Sequence, residues 1–267
     1  MDALAILGGG KIGEALLSGL LRGPHEAKDI VLAEKHPERA AYLRATYAVR
    51  TLGTAEAAAQ ARTLILAVKP QDIDVLLHEL RPVVGPAHVV VSVAAGITTA
   101  HIEARLADAV PVVRCMPNTP ALVDEAMTAV SAGLHAAEEH LALAETLLQA
   151  VGRVVRVPES QLDAVTALSG SGPAYFFFLV EAMIDAGILL GLPRTLAAEL
   201  IVQTAIGSAV MLRDSGEHPV QLREAVTSPG GTTIAAIREL EVHGVRAALL
   251  AAIEAACLRS RELGANN

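Results

Sequence analysis

The sequence predicts an α/β fold, a mainly parallel sheet followed by an all-helical second part, and three observations carry that expectation. Short apolar and β-branched runs alternate with helix-type patterns through residue 157, which implies βαβ units and a sheet covered on both faces. After Pro158 the β-branched runs vanish and only helical patterns follow. A glycine-rich loop also separates the first strand from the first helix. The 267 residues are enough for two ordinary domains, expected as 1–157 and 158–267.

Strands are expected at 3–7, 30–33, 63–68, 89–93, 112–115, 127–131 and 153–157. Helices are expected between them at 11–22, 38–46, 54–60, 72–80, 99–106 and 136–151. The second part reads as helices at 159–168, 174–190, 194–213, 219–226, 232–243 and 245–262. Its breaks fall where Gly, Pro and Ser cluster, at 169–173, 191–193, 214–218, 228–231 and Gly244. Two of these helices are apolar nearly all round. A helical part of this size cannot bury them alone, so they are expected to pack against another subunit.

Composition removes several classes. Hydrophobic residues make up 52% and charged residues 19%, with a mean hydropathy of +0.45, which suits a packed core and not a disordered chain. The net charge of −8 with no basic run excludes nucleic-acid binding. Three Phe, three Tyr and no Trp leave no stacking platform for bases. Cys115 and Cys257 are too few and too far apart for a disulfide framework or a zinc site, and a soluble protein of a reducing cytoplasm is expected. The stretch 174–190 reaches the lower length of a membrane span. It carries Glu181 and Asp185 four apart on one helix face, so a helix buried in protein is the better reading.

Gly8, Gly10 and Gly13 have the GxGxxG spacing, directly after a strand and at the start of a helix. The first glycine permits a tight turn, the second lets the backbone approach a pyrophosphate, and the third lets helix and strand pack closely. The helix N-terminus offers free N–H groups to the phosphates. The fingerprint expects an acid about 20 positions further on to bind ribose hydroxyls. Glu34, 21 residues after Gly13, fits and favours NAD, because it would repel a 2′-phosphate. Lys35, His36 and Arg39 lie close by and could bind that phosphate, or could simply be a solvated helix start. NAD and NADP both stay open.

A second glycine loop, 226–233, leads into a helix. Gly230 and Gly231 leave backbone N–H groups open, and Ser228, Thr232 and Thr233 add hydroxyl donors, so the loop suits a small carboxylate. An ordinary N-cap by Thr232 or Thr233 is the other reading. The loop 169–173 could be another anion site or a place where helices approach closely.

Together these segments resemble the pyrroline-5-carboxylate reductases, which make proline. The resemblance runs along nearly the whole chain and includes 8–13, Ala67-Val68-Lys69-Pro70-Gln71, Ser92-Val93-Ala94-Ala95-Gly96, 114–120, 167–175 and 226–233. It implies a Rossmann-type domain followed by a helical domain that dimerises, with dimers gathered into a larger ring such as a decamer. It places the cofactor along Gly8, Gly10, Lys11, Ile12 and Gly13, along Ala67, Val68, Lys69 and Pro70, and along Val93, Ala94 and Ala95. Thr54 matches a position on the adenosine side. It places the substrate carboxylate at Ser228, Gly230, Gly231, Thr232 and Thr233, with the Thr233 hydroxyl facing the ring nitrogen, and Glu159 at another substrate contact. Two departures stand out. Ala225 replaces a frequent Asn, and Glu34 sits where many members carry small or hydroxyl residues that suit NADP.

The implied reaction is hydride transfer to the carbon of a cyclic C=N bond, giving L-proline. An unactivated threonine hydroxyl is a weak acid, so the imine is expected to arrive protonated or to gain its proton through water. The stretch 135–140 approaches the spacing of a zinc helix, but its histidines are five apart, off a shared face, and it reads as a solvated helix start. No metal is expected. Cys115 reads as a buried strand-end thiol. Two rivals are a hydroxyacid-type dehydrogenase, which would need a cationic proton donor where 159–193 has no Lys, Arg or His, and a non-catalytic nicotinamide-binding regulator.

Overall fold

Four apolar strands, β1 (Leu4–Leu7), β2 (Ile30–Ala33), β4 (Thr63–Leu66) and β5 (Val89–Ser92), are buried along their whole length. Burial on both faces is what continuous runs such as Ile-Val-Leu-Ala require, since neither face can meet water. This computed structural model describes residues 3–265. Among them an eight-stranded sheet has the order β3-β2-β1-β4-β5-β6-β7-β8, completed by β3 (Arg50–Thr51), β6 (Val112–Met116), β7 (Ala126–Ala132) and β8 (Gly152–Arg156). β1 to β6 are mutually parallel, whereas β7 runs antiparallel to β6 and β8 parallel to β7. The reversal follows from the linker 117–125, which holds only a short 3-10 turn and is too short for a parallel crossover. The two-residue β3 carries no periodicity and has no counterpart among the strands expected from sequence.

Helices α1 (Lys11–Arg22), α2 (Pro37–Tyr47), α3 (Thr54–Ala59), α4 (Ile73–Leu80), α5 (Thr99–Glu103) and α6 (Glu138–Leu148) cover the sheet. They divide its core in two. One cluster packs Leu16, Leu17 and Leu20 of α1 on Ile6 and Ile65; the other packs Leu77 and Leu80 of α4 on Leu64 and Val90. Helix α5 is shorter than the expected 99–106.

The chain forms two compact units, one running through residue 171 and including 256 onward, the other 172–255. In the first, α7 (Leu162–Val165) continues into a π-turn at Thr166–Gly170, where Ser171 N–H reaches Thr166 O at 2.8 Å. The expected loop at 169–173 is therefore helical apart from a bend at Ser171. Gly172 already starts α8 (Gly172–Leu189), and Pro173 is tolerated in its first turn, where its missing N–H has no partner to lose. The second unit comprises α8, α9 (Arg194–Asp214), α10 (Pro219–Ala225), α11 (Thr232–Val242) and most of α12 (Val245–Ala265). Gly187 lets α8 and α9 meet, since a Cβ there would lie 2.9 Å from that of Ala197.

Glu159–Leu189 and α9 are long and apolar enough to cross a membrane by length and composition. Phe176, Phe177 and Phe178 are 64–70% exposed. Asp185 in α8 pairs with Arg194 of α9 at 3.3 Å.

Candidate functional site

The order β3-β2-β1-β4-β5-β6 reverses direction between β1 and β4, and in such sheets ligands bind beyond the carboxyl ends of the strands at that crevice. Gly8 follows β1 there with φ +111°, and a Cβ would lie 2.5 Å from Ala67 O after β4, so only glycine fits. A Cβ on Gly13 would lie 2.0 Å from Gly8 O, which packs α1 against the turn. Nothing lies within 4 Å of a Cβ placed on Gly10. Gly10 is the N-cap of α1 and supplies no side-chain cap, so the helix start is sterically open with unpaired N–H groups. These residues fit a pyrophosphate.

Glu34, at the end of β2, holds this turn. Its Oε2 accepts Gly9 N–H at 2.8 Å and its Oε1 accepts His36 N–H at 2.8 Å. Arg39 braces the other side, its Nε donating to Gly9 O at 2.7 Å and its second nitrogen pairing with Glu14. Tyr47 Oη also donates to Glu14, at 3.0 Å, and burial together with that carboxylate holds the phenol above its ordinary pKa. Lys35 pairs with Asp72 at 2.8 Å.

A cavity of about 540 Å³ opens at this crevice, lined by Gly8, Gly10, Glu34, Thr54, Ala67, Val68 and Lys69. The structure thus brings together seven of the residues expected along the cofactor. Lys11, Ile12 and Gly13 form the first turn of α1, with Lys11 exposed and Ile12 packed against the core. Pro70 opens the 3-10 turn that carries Asp72. Val93, Ala94 and Ala95 follow β5 beyond the cavity lining, tied in where Val93 N–H reaches Leu66 O at 3.0 Å; Ala95 is exposed. Gln71, from the segment singled out in the sequence, also lines this wall, together with Asp72 and Glu79, which the sequence did not point to.

Glu159 lies at a different junction. Its carboxylate accepts Thr99 N–H at 2.8 Å, Thr99 Oγ1–H at 2.7 Å and Arg114 at 3.1 Å. Asn118 ties the 114–120 segment to its neighbours, donating to Ser169 O at 3.2 Å and accepting Met127 N–H at 3.0 Å. Cys115 is buried in β6, and burial pushes its thiol pKa well up. His140 is engaged at the start of α6, where its Nδ1 accepts Ala137 N–H at 2.8 Å.

In the second unit the loop before α11 turns at Gly230, φ +67°. The N-cap of α11 is Gly231, with no side-chain hydrogen bond, so neither Thr232 nor Thr233 caps this helix. A Cβ on Gly231 would lie 2.3 Å from Ser228 Oγ, which holds the loop tight. The first-turn N–H groups of α11 are therefore left without a side-chain cap next to Ser228, and such a helix start can hold a carboxylate.

Strand order, glycine turn and acid at the end of β2 define a Rossmann-type, dinucleotide-dependent oxidoreductase, and residues 3–96 match the family "NADP oxidoreductase coenzyme F420-dependent". Residues 159–263 match "Pyrroline-5-carboxylate reductase dimerisation". A pyrroline-5-carboxylate reductase of Mycobacterium tuberculosis is 48% identical, over 98% of this chain and 97% of its own length. The chain belongs to the pyrroline-5-carboxylate reductase family. The solved pyrroline-5-carboxylate reductase of Coxiella burnetii is similar with a TM-score of 0.92 and 35% identity, covering 98% of both chains. The solved pyrroline carboxylate reductase of Plasmodium falciparum, with NADP bound, gives 0.89 and 26%, again over 98% of both chains. The exposed apolar helices α8 and α9 lie within the dimerisation match.

Proposed function

We propose that this chain reduces 1-pyrroline-5-carboxylate to L-proline with NADH or NADPH as hydride donor, the last step of proline biosynthesis. The observation that carries this reading is the uncapped N-terminus of α11 behind Gly230 and Gly231, on a chain whose other unit holds an open glycine cradle. The bound dinucleotide supplies the hydride.

The chain's own residues bind and orient. Gly8, Gly10, Lys11, Ile12 and Gly13 take the pyrophosphate, Glu34 and Thr54 the adenosine side, Ala67, Val68 and Lys69 on the cavity wall, with Pro70 next to them, the middle of the dinucleotide, and Val93, Ala94 and Ala95 the nicotinamide end. Ser228, Gly230, Gly231 and Thr232 hold the substrate carboxylate through N–H and hydroxyl donors. The Thr233 hydroxyl hydrogen-bonds the ring nitrogen and orients a substrate that arrives protonated or is protonated through water. Glu159 enters as a positioning residue, because its carboxylate ties the start of α5 to Arg114 of β6. The working division is 1–157 for dinucleotide and 158–267 for substrate and dimerisation, in a cytoplasmic homodimer that assembles into a ring such as a decamer.

The absence of Lys, Arg and His from 159–193 removes the proton donor that a hydroxyacid-type dehydrogenase would need. Loss of nicotinamide absorbance on adding pyrroline-5-carboxylate tests the reading. Turnover with proline as product supports it, and dinucleotide binding without turnover would leave a non-catalytic binder in its place.

A further inference from the structure

We infer that Glu34 makes this chain select NADH over NADPH; the inference rests on the dinucleotide-binding half of the reading above. The Glu34 carboxylate stands on the wall of the cavity at the end of β2, where an adenosine ribose would sit. Each of its oxygens already accepts one backbone N–H, from Gly9 and from His36, both at 2.8 Å. It cannot swing away without releasing the glycine turn. Each oxygen keeps a further lone pair, so the carboxylate can accept the 2′- and 3′-hydroxyls of an unmodified ribose. A 2′-phosphate at the same place offers negative charge and no proton to donate.

Two of the cations that could offset that charge, Lys35 and Arg39, are engaged. Lys35 Nζ is 2.8 Å from Asp72 Oδ1, a second acid on the same wall. Arg39 donates to Gly9 O at 2.7 Å, pairs with Glu14 and lies over the Tyr42 ring at 5.1 Å. Recruiting Arg39 to a phosphate breaks its bond to the glycine turn, and recruiting Lys35 breaks its pair with Asp72. Lys69 and His36 also line the wall, in the company of Asp72, Glu79 and Glu34.

The test is direct binding of NADH and of NADPH to the full-length protein, followed by nicotinamide fluorescence, for the wild type, Glu34→Gln and Glu34→Ser. The wild type should hold NADH at least about 30-fold more tightly, the scale of a like-charge contact at a solvated site. Both substitutions should shift the ratio toward NADPH by about 10-fold or more, chiefly by tightening NADPH. Glu34→Gln keeps an acceptor for Gly9 N–H, so it separates charge from loop support if Glu34→Ser unfolds in a thermal melt. Equal or tighter wild-type binding of NADPH overturns the inference, as does a ratio unmoved in a folded variant. Selective NADH binding without turnover of pyrroline-5-carboxylate upholds the inference and removes the reductase reading. Failure to bind either dinucleotide removes both.

Discussion

The carboxylate of Glu159 accepts both the backbone N–H and the hydroxyl of Thr99, at 2.8 and 2.7 Å, and so anchors the start of α5 to a residue 60 positions later in the chain. Arg114, only 7% exposed in its side chain, completes the junction. Removing Glu159 would leave a buried guanidinium with no carboxylate. Glu159→Ala should cost about 3 kcal/mol of stability, read from urea unfolding. Glu159→Gln should recover part of it, because an amide oxygen still accepts from Thr99. A positioning role also predicts a fall in kcat larger than any rise in KM; a pure KM effect at unchanged stability would point to direct substrate contact instead.

Thr233 stands in the first turn of α11, whose N-cap is glycine. Thr233→Ala should lower kcat/KM by about 10- to 100-fold, the scale of losing one oriented polar contact, and Thr233→Ser should restore most of it. The melting temperature should not move for either. An unchanged rate in the alanine variant removes Thr233 from the reaction.

Gly10 and Gly13 separate ligand space from packing space. A Cβ at Gly10 meets nothing within 4 Å, so Gly10→Ala should fold normally and lose dinucleotide affinity by obstructing the pyrophosphate. A Cβ at Gly13 would lie 2.0 Å from Gly8 O, so Gly13→Ala should destabilise the fold by about 2 kcal/mol or more. Thermal melts with and without NADH distinguish the two.

Cys115 is buried in β6, and desolvation holds its thiol protonated far above neutral pH. It should resist alkylating reagents in the folded protein and react fully in denaturant, with mass spectrometry reading the site. Rapid labelling of native Cys115 would contradict the packing described for this strand.

Arg156 on β8 clamps α6 by donating to Glu138 at 2.7 Å and to Glu145 at 2.5 and 2.8 Å. These bonds hold both carboxyls below their ordinary values. A lowered folded-state pKa stabilises above the unfolded value and is lost as pH falls through the folded one. The wild type should therefore lose more stability than Arg156→Gln between about pH 5 and pH 3, measured as urea midpoints. Parallel losses would show that the clamp is absent in solution.

Much of the fold was legible because its signals are local. The strand 30–33 and the helix 11–22 coincide with β2 and α1, since an apolar run and helical spacing sit within single elements. β3 was illegible, because two residues at a sheet edge have no period. The helical 169–173 was hidden because glycine and proline mark a turn in most settings, whereas Gly170 here packs close to Met116, where a Cβ would lie 2.6 Å from its Cε. Within the site, Glu34 was found from its distance after Gly13. Its two backbone partners, and the diversion of Lys35 and Arg39, left no trace in sequence.

By itself the sequence determined the α/β order, the glycine turn, the late glycine loop and the family, all readable from neighbouring residues in fixed spacing. Tertiary structure decided which polar groups are spent on one another. Gly9 meets Glu34 across 25 positions, Asn118 meets Ser169 across 51, and Thr99 meets Glu159 across 60. Such pairs form only once packed strands bring distant backbone within hydrogen-bond reach, and a buried donor must then be satisfied by whatever acceptor the packing delivers.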